Sequence, residues 1–249
     1  MKLAAAASRA FFNRKKPYLT FPYPSLSTRR FETSTATTTT NRSSALTEEE
    51  LVQINDVVPR LCSSNHLKEA VQLVAAALST ENPSLSSLPL SILVSRLALE
   101  PDLAHPMHLL NSLKYNSSPE KTLIIVPIAK MLVSHFFRQA QPERAVTIFQ
   151  WMSRPDFPGG LPGDLEFYAV LVDGFCKRGM SLDSLRVLQV MAGGDLVIGR
   201  EIRMWVYRGL LREARVKEAL DLNAALDCGT LGSKEVVDLL DKMIANWVD

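Results

Sequence analysis

From Leu46 onward, apolar residues recur at intervals of three and four rather than two, a spacing that predicts helices almost throughout and no strands. In "HLKEAVQLVAAALS" the residues Leu67, Val71, Val74 and Leu78 are spaced 4, 3 and 4 and form one stripe. "LTEEELVQINDVVPRL" opens with Thr47 and Glu50 at capping-box spacing, so the folded region is expected to start there. "TLIIVPIAKMLVSHFF", from Thr122, is apolar nearly all round. Pro127 and Lys130 interrupt it short of the about 18 apolar residues a membrane span needs, so it reads as a buried core helix. "SKEVVDLLDKMIANWV", from Ser233, carries the stripe Val237, Leu240 and Ile244 and reads as a closing helix.

Three segments share one pattern. "FFRQAQPERAV" from Phe136, "FCKRGMSLDSL" from Phe175 and "LLREARVKEAL" from Leu210 each run from an apolar pair to a basic residue (Arg138, Lys177, Arg212). A small residue follows two places on (Ala140, Gly179, Ala214), and then a second apolar run. The small residues are 39 and 35 apart. A period near 35 with a break in mid-unit is what stacked helical hairpins require, because one hairpin cannot bury its apolar face alone. The small residue marks the turn. Asn65, 75 residues before Ala140, is the turn of another hairpin. "LPLSILVSRLALEPDLAHPMHLLNSL", from Leu88, fills the slot between, interrupted by Pro101 and Pro106. The expected fold is therefore all-α, an α-solenoid of about five degenerate hairpins and a cap, or about eleven helices.

Composition divides the chain in two. Residues 1–46 hold eight basic residues against one acid, Glu32, and include the run "TSTATTTTNRSS". Arg-rich, hydroxyl-rich and acid-poor, this segment reads as an organelle transit peptide with a low-complexity linker, leaving 47–249 as the helical domain. "TRRFETS" places a cleavage after Phe31 in the mitochondrial manner, and the Ser/Thr richness suits a plastid equally. Without this segment the remainder is about five units negative, so the formal +2 of the whole chain is no evidence of nucleic-acid affinity. Any grip on a polyanion has to be a local patch. The three cysteines, Cys62, Cys176 and Cys228, are widely spaced and suit a reducing compartment.

"FYAVLVDGFCKRGMSLDSLRVLQVM", with Tyr168, Asp173, Gly174, Cys176 and Lys177, preceded by "GGLPGD" ending at Asp164, resembles a pentatricopeptide repeat. "RMWVYRGLLREARVKEALDLNAAL", from Arg203, is similar to the last repeat of short plant organellar members of that family related to thylakoid assembly 8. The resemblance implies a non-catalytic protein, without cofactors, that binds single-stranded organellar RNA in group II intron splicing; the expected compartment is the mitochondrial matrix, with the chloroplast as the alternative. Other splicing factors or ribosomal proteins are candidate partners, and homodimerisation on RNA would supply, through effective concentration, affinity that so few repeats lack.

In that family one base is read per repeat by side chains near the start of each first helix and at the end of each unit. Carried over, those positions fall on Lys130, Ala169 and Met204, and on Asp164 and Gly199; only Lys130 with Asp164 is polar at both. A stacking position that the family keeps apolar holds Glu166 and Glu201 here. The cluster Arg200, Arg203, Arg208, Arg212, Arg215 and Lys217, interspersed with Glu201, Glu213 and Glu218, offers either a phosphate grip or a solvated helix face with i,i+4 pairs. Trp205 and Tyr207, flanked by Ile202, Val206 and Leu210, read as packing between repeats.

Catalytic constellations are sparse. His105 and His108 have only Asp102 nearby to complete a metal shell, and "PGGLPG" lacks the Lys-Ser/Thr of a phosphate loop. The His-x-Glu and Cys-x-x-Cys signature of zinc deaminases does not occur. The alternative to RNA binding is a protein-interaction scaffold, such as a subunit of an organellar ribosome.

Overall fold

A computed structural model describes residues 45–80, 85–116, 122–158, 162–227 and 233–247. The presequence reading and Cys228 fall outside the described residues. Within them the chain is all-α, with eleven helices and one short 3-10 turn (Leu85–Ser87). The helices are α1 (Glu48–Ser63), α2 (Leu67–Leu78), α3 (Leu90–Leu99), α4 (Ala104–Asn116), α5 (Thr122–Arg138) and α6 (Pro142–Met152). They continue with α7 (Leu165–Lys177), α8 (Ser181–Gly193), α9 (Arg200–Arg212), α10 (Val216–Asp227) and α11 (Ser233–Ala245).

α1 starts where the capping box placed it. Thr47 Oγ1 accepts from the Glu50 amide at 3.2 Å, and Glu50 Oε2 accepts from the Thr47 amide at 2.8 Å. Two otherwise orphaned donors of the first turn are satisfied. The stripe Leu67, Val71, Val74 and Leu78 is buried, as are Ile125, Ile128, Leu132, Val133 and Phe136 of α5.

The four small turn residues share one backbone conformation. Asn65, Ala140, Gly179 and Ala214 have φ of 61°, 57°, 69° and 59°. A left-handed residue after a helix turns the next amide back onto the carbonyl five residues earlier, which ends the helix with its last acceptors paired. The bonds are His66 to Leu61 (2.9 Å), Gln141 to Phe136 (2.9 Å), Met180 to Phe175 (3.0 Å) and Arg215 to Leu210 (2.9 Å). In each case the second helix begins two residues after the left-handed one, so α1/α2, α5/α6, α7/α8 and α9/α10 are the same hairpin built four times. The sequence did not mark a fifth such residue, Asp195 at 53°, which ends α8 with a Leu196-to-Met191 bond of 2.9 Å.

The α3/α4 connection departs from this pattern for a covalent reason. Pro101 cannot take a positive φ, and the chain leaves α3 through an extended Glu100 (φ −61°, ψ 148°). Its carbonyls are satisfied from outside the hairpin: Arg144 of α6 donates to the Glu100 and Pro101 oxygens, both at 2.6 Å.

Each first helix packs on the next, α1 on α3, α3 on α5, α5 on α7 and α7 on α9. Close approach is permitted at Gly174, where a Cβ would fall 2.3 Å from the Phe137 ring, and at Gly209, where it would lie 3.1 Å from Cys176 Sγ. Phe137 in turn sits edge-on to Phe175, with ring centroids 5.1 Å apart.

The last helix closes the fold as its sequence suggested and departs from expectation in its buried stripe. It closes the domain by folding back on α8, so that α11 rather than α10 is the main neighbour of α8; Gln189 Nε2 donates to Asp241 Oδ1 across this contact. Its buried line, Val236, Leu240 and Met243, shares Leu240 with the expected stripe, while Val237 and Ile244 flank it half-buried. A helix that meets α8 on one side and α10 on another has a buried arc wider than one stripe.

Two outcomes are expected in denaturant titrations. Ala140→Gly and Ala214→Gly each relieve a left-handed Cβ and stabilise by up to about 1 kcal/mol, whereas Gly179→Ala destabilises by a similar amount. Gly174→Ala destabilises by about 1–3 kcal/mol through overpacking against Phe137, and Phe137→Leu in the same chain reduces that loss.

Candidate nucleic-acid interface

The polar pair carried over from the repeat pattern is brought together. Lys130 Nζ lies 3.5 Å from Asp164 Oδ2 and 2.6 Å from Glu166 Oε2. The hydrogen bond that Lys130 donates to Glu166 raises the Lys130 pKa above its ordinary value; burial opposes this, and the Asp164 and Glu166 charges add to it. Asp164 is also the N-cap of α7, its Oδ1 accepting from the amides of Glu166 (2.9 Å) and Phe167 (3.2 Å). The carboxylate that would face a base is thus committed on one oxygen to the helix and on the other to Lys130. Ala169 and Met204 are half-buried and Gly199 is exposed, and none of the three side chains carries a hydrogen-bonding group.

The basic cluster separates into two groups. Arg203 Nη1 donates to the Leu226 carbonyl at 3.1 Å, holding the end of α10 against α9. Arg215 stacks over Trp247, 4.3 Å from guanidinium carbon to ring centroid, and pairs with Glu218 at 3.6 Å. These two are half-buried structural groups. Arg200, Arg208 and Arg212 are exposed and form no ion pair among the described residues, and Lys217 is exposed beside them. The three arginines share the outward arc of α9 with Met204, Leu211 and one carboxylate, Glu201. Glu213 is removed from that face, since its Oε1 accepts from the Ser181 amide at 3.0 Å.

Sequence reasoning passed over a second feature, readable from the same alignment. Arg138, Lys177 and Arg212 are each the last residue of a first helix, α5, α7 and α9. Because these helices pack in order and end in the same turn, the three cations line one edge of the stack, on neighbouring helices about 8–10 Å apart. Arg178 stands beside them and donates to the Phe137 carbonyl at 2.6 Å, closing the preceding turn. Arg96 does the same for the first hairpin, reaching the Cys62 carbonyl at 3.2 Å and Asn65 Oδ1 at 3.1 Å. Lys177 pairs with Asp173 at 2.7 Å in an exposed i,i+4 contact that competes weakly with an external phosphate.

Apart from Tyr115, which is exposed, the aromatic side chains among the described residues serve the interior. Trp151 is buried and donates Nε1–H to Asn111 Oδ1 at 3.1 Å, while Trp205 and Tyr207 pack half-buried against the core. Tyr168 is 1% exposed; burial first, and the Asp164 charge second, push its pKa up to about 12. Burial likewise pushes the Cys176 thiol up to about 11, only partly offset by its contact with Ser184 Oγ at 3.2 Å, so it is held in the unreactive protonated form. Among the described residues no group of three or more His, Cys, Asp or Glu side chains is placed to hold a metal ion, and no helix is long and apolar enough to cross a membrane.

Comparison with protein-family models and with curated proteins gives no match.

Stability measurements separate the two groups of arginines. Arg203→Ala is expected to lower stability by about 1 kcal/mol or more, through a lost charged hydrogen bond and lost packing. Arg208→Ala and Arg212→Ala are expected to stay within about 0.5 kcal/mol of the parent in urea titrations.

Proposed function

We propose that the chain is a non-catalytic RNA-binding protein of the pentatricopeptide type that acts in organellar RNA processing, with group II intron splicing as its reaction context. The observation that carries the reading is the run of exposed cations Arg138, Lys177, Arg212, Arg208 and Arg200, which follows the turn edge of three hairpins and continues along α9. Guanidinium groups meet phosphate oxygens two at a time, and a row at helix spacing tracks a single-stranded backbone rather than a compact anion.

The reading places phosphate contact ahead of base discrimination. Lys130 and Asp164 neutralise each other, and a base edge at that pair has to displace the Glu166 carboxylate from the ammonium. Ala169, Met204 and Gly199 offer a base no polar group. Binding is therefore weakly sequence-dependent, and specificity for an intron comes from RNA shape or from partner splicing factors. The organelle, mitochondrion or plastid, follows from the basic, hydroxyl-rich residues 1–46. A scaffold role, as in an organellar ribosome, is favoured instead by the apolar residues exposed on α10, Val216 at 53% and Leu220 at 55%.

The test is fluorescence anisotropy with a single-stranded RNA across a salt series, comparing the parent with the Arg200→Ala/Arg208→Ala/Arg212→Ala triple variant. The parent is expected to lose affinity steeply with salt, and the variant to bind weaker with a logarithmic salt slope shallower by about 2. Absence of salt-dependent binding by the parent, or identical curves for both chains, would overturn the reading and favour the scaffold.

A further inference from the structure

The two ends of the stack carry unfinished versions of the contact that joins hairpins within it. In a row of hairpins the leading face of each one receives the trailing face of the one before. At the N-terminal end, α1 and α2 have nothing before them among the described residues. Their leading side forms an open groove of about 470 Å³ lined by Leu46, Ile54, Val57, Leu73 and Ala76, with Gln53 at its side. At the other end α11 touches α10 but packs mainly on α8, and α10 keeps an exposed ridge. Val216, Leu220 and Ala224 stand four apart along it, and all are exposed. A ridge of residues four apart is the shape that fits a groove between two helices.

Charge at the two ends has opposite sign. Around the groove, Glu48, Glu49 and Glu50 fill the first turn of α1. Asp56 is paired with Arg60 at 3.1 Å, and Glu69 and Lys68 lie exposed on α2. Around the ridge stand Lys217 and, on the adjoining α9, Arg208 and Arg212, with Asp221 as the opposing carboxylate and Glu218 held by Arg215. Like ends repel and unlike ends attract.

From these observations we infer that copies of this chain associate head to tail, the α10 ridge of one seating in the α1/α2 groove of the next. The contact is heterologous: each copy offers two different surfaces, so association does not close at two chains and extends with concentration. Arg208 and Arg212 border both this ridge and the cation row, but Val57 and Leu220 lie outside that row, so substitutions there leave its cations in place.

Sedimentation velocity of the nuclease-treated full chain over a concentration series tests it, with Val57→Asp and Leu220→Asp made separately. Both positions are exposed, so the variants are expected to keep the parent's circular dichroism; Ala76→Arg and Val216→Asp provide a second pair at the same two faces. The parent is expected to grow beyond two chains with concentration, and each single variant to remain monomeric. A mixture of the two is expected to form a species of two chains and nothing larger, because each retains one intact end. Three results would each overturn the inference. They are a parent monomeric at every concentration, as when another segment or protein covers the groove; association abolished by only one of the two faces, as in a two-fold contact; and a mixture that stays monomeric.

Discussion

The organisation of this chain depends on a single backbone requirement, a residue in the left-handed region two places after the last residue of a first helix. Once Asn65, Ala140, Gly179 or Ala214 takes that conformation, the following amide is aimed at the carbonyl five residues back. The helix stops and its partner starts antiparallel to it. Packing of first helix on first helix, burial of the stripes and alignment of the helix-terminal cations all follow from repeating that reversal at nearly constant spacing. Two of the four positions are alanine, for which this conformation costs about 1–2 kcal/mol more than a right-handed one. Burial of a single leucine or phenylalanine side chain beneath the turn is of similar size or larger, and so decides the outcome.

A second theme is the division of labour among arginines. Arg96, Arg144, Arg178 and Arg203 each give a guanidinium hydrogen bond to a carbonyl at or near a helix end elsewhere in the fold. Helix C-termini carry unpaired acceptors and the negative end of the helix dipole, so a cation there meets two needs at once. The arginines left exposed on α9 have no such use within the described residues, and that distinction separates a candidate RNA grip from structural charge.

What could be read from the sequence was what local backbone rules determine. The capping box at Thr47, the stripe from Leu67 to Leu78 and the small residues at the turns all depend on neighbours within a few positions, and each lies where its pattern placed it. Contacts between distant segments were not legible. Arg203 and Arg215 read as members of a phosphate grip or a solvated helix face, because their partners, the Leu226 carbonyl and the Trp247 ring, lie beyond any helical period. The tie of Lys130 to Glu166, 36 residues away, was equally out of reach. The stripe of α11 was right at Leu240 but missed Val236 and Met243, because a single-sided stripe was assumed for a helix with two neighbours. The edge row of Arg138, Lys177 and Arg212 was present in the alignment, but it becomes a surface only when the helices bearing those residues are placed side by side.

The return of α11 to α8 bears on how the chain acquires its fold. Elsewhere each hairpin contacts its immediate predecessor, so segments can dock in the order in which they leave a ribosome. α8 is the exception. The bond from Gln189 to Asp241 spans 52 residues, and until the last helix emerges the side of α8 that receives Leu240 stands bare. The C-terminal third is therefore the slow and vulnerable part of assembly, where a chaperone has the longest opportunity to bind and where a truncated chain would expose an apolar surface it cannot cover.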